Sequence, residues 1–257
     1  MSMMRNRLPL GSLRGTIERR FLVNYRIDPD HASALLPPSF SPTLVNGYAI
    51  GGICLIQLTV GPTWLPRAFG ARSHNGAHRI AVTLADGSDA VYIPERHSNS
   101  QLNTLLGGRL FPGVHHRASI TTTDDGERIG VELLSRDGLT DVAVLGTEAD
   151  QLPTSSVFDS VDHVSRFFEA GSLGYSDTRR ANHYEGLELR TTNWSVTPLE
   201  VERVTSSFFD DHALFPAGTA TPDNALVMHN IEHTWHRRPT LRTTDDTGID
   251  EPAVPRA

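Results

Sequence analysis

Histidine is the reactive resource of this 257-residue chain: there are 12, and most fall in four short clusters. Imidazole changes charge near neutral pH, so a well-placed ring can take or give a proton during a reaction. In GGRLFPGVHHRA, residues 107–118, glycines and proline deliver Arg109 and then His115-His116 onto a predicted strand. Neighbours on a strand face opposite ways, so only one of the two rings can enter a given cavity. His116 would share a face with Ala118 and Ile120, and His115 with Arg117, Ser119 and Thr121. One packed and one solvated histidine is the competing reading.

SHNGAHRIAV brings His74, His78 and Arg79 into another predicted strand, and YIPERHSNS sets Glu95 beside Arg96 and His97. A carboxylate next to a histidine can fix its tautomer and raise its basicity, although an exposed charged loop has the same composition. In MHNIEHTWHRRP, His229, His233 and His236 would stack on one helical face and could bind a transition metal. On a strand, His229 and His233 share a face with Val227, Ile231 and Trp235, while His236 points away. The β-branched and aromatic content favours the strand, so no metal is expected. HExxH, paired CxxC, GxSxG, P-loop and GxGxxG patterns are all missing, and no cofactor is expected.

The chain contains no lysine; all 23 of its basic residues are arginine. Arginine stays protonated, which excludes a Schiff-base amine, pyridoxal-phosphate attachment and the phosphate-gripping lysine of a P-loop. Chemistry here falls to histidine, carboxylate, tyrosine, hydroxyl or a metal. A net charge of −7 argues against nucleic acid, which selects a basic face. The single cysteine, Cys54, sits in the apolar run AIGGICLIQL and reads as a core residue. It cannot form an internal disulfide, which suits a reducing compartment. With no apolar stretch of signal-peptide or membrane-spanning length, a soluble cytoplasmic protein is expected, with no membrane partner.

The elements that would position these residues are mostly strands. Thr16–Arg26 predicts a strand with Ile17, Phe21, Val23 and Tyr25 on one face. Asp28-Pro29 opens a short helix that Pro37-Pro38 closes. Tyr48–Val60 is apolar on both faces and reads as central, with Gly51-Gly52 marking a bulge or a close backbone approach. His78–Leu84 is a strand, Ser98–Leu106 a short helix, and His115–Thr122 with Arg128–Ser135 a hairpin that continues into Leu139–Leu145. Ser156–Ala170 is the best helix, with Ser156 and Asp159 resembling a capping box and Gly171 as its stop. Strands return at Leu187–Thr192, Trp194–Val204 and Ala225–Trp235. One mainly β (α+β) domain over 15–238 is predicted, between a flexible N-terminus (1–14) and a disordered acidic tail (239–257).

The runs FLVNYRIDPDHASALLPPSFSPTLVNGYAIGGICLIQL, NGAHRIAV, GGRLFPGVHHRA and MHNIEHTWH resemble a branch of unknown function within the acetoacetate decarboxylase-like superfamily. The resemblance spans roughly residues 15–238. It implies a cone-shaped, antiparallel β-barrel with additional sheet and a few short helices, its cavity holding the active site. The family's lysine pair, the first of which forms the Schiff base, falls on His115-His116. Its active-site glutamate falls near Ser73 or His74. A family arginine of the first strand corresponds to Glu18, Arg19 or Arg20, depending on a one-residue gap. The sequence thus resembles the family's scaffold and departs from its imine chemistry.

Two functions follow. In the first, a small-molecule ligand, oxygen-rich and of keto-acid or polyketide-like type, binds in the barrel cavity. Arg109 or Arg79 would hold a carboxylate or enolate oxygen, and His115 or His116 would act as acid–base. His78, His74 and Glu95 are the next candidates to catalyse or orient. The reaction would be of lyase or isomerase type: non-imine decarboxylation, dehydration or cyclisation. In the second, the same cavity binds its ligand without catalysis. Antiparallel edge strands are also compatible with a homodimer.

Overall fold

The computed structural model describes residues 13–62, 70–100 and 113–243. Their strands are β1 (Leu13–Ile27), β2 (Phe40–Pro42), β3 (Leu44–Val45), β4 (Tyr48–Pro62), β5 (Ala71–Leu84), β6 (Asp89–Ile93) and β7 (Arg96–Ser98). These are followed by β8 (His115–Asp124), β9 (Ile129–Ser135), β10 (Asp141–Glu148), β11 (Leu173–Asp177), β12 (His183–Thr191), β13 (Thr197–Ser206) and β14 (Ala220–Arg242). Two helices accompany them, α1 (Pro29–Leu35) and α2 (Val161–Ala170). All pairings are antiparallel except β6–β11 and β7–β8.

The pairings close two rings that share one wall. From β14 the wall runs through β1 and β4 to β5. On one side, β7, β8, β9, β10 and β13 lead from β5 back to β14. On the other, β6, β11 and β12 make the same return. Both faces of the wall are therefore buried, which is why its strands are apolar on both faces. Phe21, Val23 and Tyr25 of β1, Ile53 and Leu55 of β4, and Val227 of β14 pack into the first ring. Leu22, Cys54, Leu58, Leu226 and Met228 point into the second, where α2 adds Val164 and Phe168.

The mainly β expectation holds, and the local differences have clear causes. Ile17 packs with Leu22 in the second ring, not with Phe21, because Glu18 is an extra residue in the pairing of β1 with β4 and reverses the alternation. The helix expected from Ser156 begins at Val161, capped by Ser160, whose side chain accepts from the His163 N–H. Ser156 and Val157 are held instead by Asp223, which accepts from Ser156 Oγ at 2.7 Å and from the Val157 N–H at 2.9 Å. Ser98 ends β7 where a helix start was expected, and residues 101–106 of that helix lie outside the described ones. Strand β14 runs past the expected boundary at Arg238 to Arg242, paired with His183. The remainder of the expected tail, and residues 1–12 of the expected N-terminal lead, also lie outside.

Gly51 and Gly52 mark close approach. A Cβ on Gly52 would stand 2.5 Å from the Val23 carbonyl oxygen, and one on Gly51 would stand 2.4 Å from Ile27 Cδ1.

Candidate active site

The second ring encloses a cavity of about 100 Å³. Four of its lining residues form one row across four strands: Cys54 is the register partner of Ala77, Ala77 of Arg96, and Arg96 of His115. Register partners on neighbouring strands point the same way. At a strand spacing of about 4.8 Å the row spans roughly 14 Å between its outer Cα atoms. Ala77, with only a methyl group, leaves space between the thiol and the guanidinium.

Two more arginines flank this row. Arg20 lies two residues from Leu22, the register partner of Cys54, and its Nε donates to Cys54 Sγ at 3.2 Å. Its guanidinium also sits 5.7 Å from the Trp194 ring centroid. Arg79 lies two residues beyond Ala77 in the opposite direction along the wall. Its register partner is Gly52, and the missing side chain there lets Arg79 Nη2 reach across β4 to Asn24 Oδ1 at 2.7 Å. The Arg79 guanidinium stacks 4.3 Å from the Phe168 ring centroid, a cation–π contact.

The electrostatics of the lining are one-sided. Arg20, Arg79 and Arg96 face the cavity, and no aspartate or glutamate among the described residues lines it. None of the three forms an ion pair among the described residues. Arg79 is 5 % exposed, and its Nε has no hydrogen-bond partner. Arg96 donates through Nε to Ser176 Oγ at 2.8 Å. Burial lowers the pKa of both Arg79 and Arg96 to about 10, so both remain cations at neutral pH. Buried cations without counter-charges are costly to keep.

Of the residues singled out in the sequence, Arg79 and His115 reach this cavity. Arg109 lies outside the described residues. His116 is exposed on the other face of β8, as strand alternation requires, and its ring centroid is 5.5 Å from that of His97. His97 borders the cavity, but the register of β7 directs Arg96 inward and pairs His97 with His116. His78 is a first-ring residue: it is 2 % exposed, stacks 4.7 Å from Phe208 and meets Ser206 Oγ through Nε2 at 3.2 Å. Burial, then His97, pushes its pKa down to about 3. His74 lines a smaller depression with Arg19 and Gln57, its pKa lowered by burial and then by Arg72. Glu95 accepts from Thr140 Oγ1 at 3.3 Å and does not line the cavity. His78, His116, His74 and Glu95 are thus not gathered around His115 at one cavity.

The fourth cluster is split by Asn230, which adopts a left-handed φ of 53°. His229 meets Glu148 at 2.7 Å, while Ile231 packs into the second ring. His233 is 2 % exposed against Gly15 and Trp235, with burial lowering its pKa to about 4. The expected common face from Val227 to Trp235 is broken there. Among the described residues no three His, Cys, Asp or Glu side chains come together as a metal would require. No helix among them is long and apolar enough to cross a membrane.

Sequence reading missed that Arg20, Arg96 and Cys54 line one cavity. Of the three positions weighed on β1, Glu18 meets Gln57 and Thr59, Arg19 meets Asp124, and Arg20 enters the cavity. The available signal was an arginine on each of two strands whose other residues are mostly buried.

No protein-family model matches this sequence, and a comparison with curated proteins finds no match. Solved structures do resemble it. Acetoacetate decarboxylase from Legionella pneumophila superposes with a TM-score of 0.64 at 12% identity, over 96% of this chain and 93% of its own. An acetoacetate decarboxylase-like enzyme from Sphingomonas wittichii RW1 gives 0.56 at 14% identity, over 91% and 93%. The enduracididine biosynthesis enzyme MppR, complexed with pyruvate, gives 0.55 at 11% identity, over 88% of each chain. This chain has the acetoacetate decarboxylase-like fold.

Proposed function

We propose that this chain belongs to the acetoacetate decarboxylase-like superfamily and acts on a small oxygen-rich anion, of keto-acid or polyketide-like type, by histidine acid–base chemistry without an imine. The observation that carries this reading is the cavity itself: three guanidiniums face it, no carboxylate among its described lining residues offsets them, and His115 is the register partner of Arg96. That one solved protein of this fold is complexed with pyruvate is consistent with a small keto acid as ligand.

The chemistry follows from these groups. An arginine holds the substrate carboxylate, and a second guanidinium faces the carbonyl oxygen. In a β-keto acid, breaking the bond to the carboxylate carbon sends its electron pair onto that oxygen and releases carbon dioxide. The guanidinium stabilises the enolate electrostatically, as an oxyanion hole does. Protonated His115 then delivers a proton to the enolate carbon and regains one from water. The same two groups serve proton transfer beside a carbonyl, dehydration or cyclisation. General acid–base catalysis of this kind contributes about 10²–10⁴-fold in rate.

A second reading has the cavity bind without turnover. It is favoured by the absence of lysine and by the positions of His78 and His116 away from the cavity. The two separate when the purified protein is incubated with a panel of short β-keto acids and the products are read by mass spectrometry. His115→Ala is expected to abolish turnover with the fold intact by circular dichroism. Unchanged turnover would remove His115 from the mechanism, and a ligand bound but returned unaltered would favour the binder.

A further inference from the structure

We infer that the cavity is built for a dianion: a short dicarboxylate and, within the keto-acid class, a keto diacid. The inference rests on the anion-binding reading above and deepens it by fixing the charge of the occupant. Three cations line the space. A monocarboxylate would leave two of them uncompensated in a buried site, whereas a dicarboxylate leaves one.

The placement of the three suits two separated negative groups. Arg20 is level with Ile56 and Asn75 on the shared wall, and Arg79 is level with Gly52 and Asn24. These levels are four residues apart, roughly 13 Å along the strands between Cα atoms. Arg96 enters between them, from the level of Ala77. Arg20 reaches Cys54, whose Sγ accepts from its Nε at 3.2 Å, while Arg79 turns the other way to Asn24 and Arg96 to Ser176. A short chain lying over Cys54 and Ala77 would present one carboxylate toward Arg20 or Arg79 and the other toward Arg96 and His115. Arg79 has an unused, buried Nε–H to offer one of them. A guanidinium also matches a carboxylate in fork geometry, so each pole has a suitable partner.

The test is calorimetric, on the full chain, with matched probes: succinate against butyrate, and 2-oxoglutarate against 2-oxopentanoate. Each dicarboxylate is expected to bind about tenfold or more tightly than its monocarboxylate, since one further charge-assisted contact is made. Arg96→Gln is expected to bring the dicarboxylate down to the affinity of the monocarboxylate, while the monocarboxylate changes by less than about threefold. Should that variant fail to fold, Arg20→Gln is measured in its place. Affinities within about threefold for both pairs would overturn the dianion inference and leave the anion-binding reading standing. Binding of neither member of either pair at millimolar concentration would overturn both.

Discussion

Arg20 Nε stands 3.2 Å from Cys54 Sγ, and this contact joins the only thiol of the chain to a cavity lined by arginines. Cys54 is 8 % exposed and lines that cavity, which offers a reagent a way to it. A positive cavity with low-dielectric walls concentrates anions. Iodoacetate is therefore expected to alkylate Cys54 faster, relative to iodoacetamide, than it does free cysteine. The ratio should shift by about tenfold at low ionic strength and fall as salt screens the guanidiniums. Mass spectrometry of the Cys54 peptide over time measures it, since Cys54 is the only thiol of the chain. A ratio equal to that of free cysteine would show that the arginines do not act on incoming anions.

The buried histidines set a direction for acid stability. Burial is the first cause that holds His78 at a pKa of about 3, and His97 and His233 at about 4. The unfolded chain, with ordinary values near 6.5, binds protons that the folded chain refuses. Stability is then full above about pH 6.5 and falls as pH drops toward about 4, by about 1.4 kcal/mol per pH unit for each such histidine. Urea midpoints between pH 7.5 and 4.5 should decline along this course. His78→Gln, which retains an amide for Ser206, should reduce the slope by about one proton. A flat profile would mean that these rings titrate normally in the folded protein.

Much of this architecture was legible in the sequence because binary pattern carries burial directly. Tyr48–Val60 is apolar on both faces, and β4 does bury both, in two different rings. Asp28-Pro29 opened its helix as read, with Asp28 Oδ1 accepting from Asp30 N at 3.0 Å and His31 N at 3.2 Å. What escaped was long-range. The inserted residue at Glu18 decides which arginine of β1 faces the cavity, and a one-residue shift moves every side chain to the other face. The row from Cys54 to His115 joins four strands, and no spacing along the chain reports such pairing. Asp223 is likewise invisible as the anchor that delays α2, since it lies 67 residues from Ser156.

Ala77 offers the cleanest way to separate cavity from fold. It occupies the middle of the row between Cys54 and Arg96, where its methyl group borders open space rather than a packed core. A larger apolar side chain there projects into the cavity between Cys54 and Arg96 and takes up its volume while leaving both side chains in place. Overpacking a filled core costs about 1–3 kcal/mol, but filling an existing void avoids most of that cost. Ala77→Leu is accordingly expected to keep the melting temperature within a few degrees, or raise it, while weakening anion binding by about tenfold or more. Thermal unfolding and calorimetry on the same preparation decide the matter. Intact binding by a stable Ala77→Leu protein would place the ligand somewhere other than beside this row of residues. A large loss of stability would mean that the cavity around Ala77 is narrower than its walls indicate.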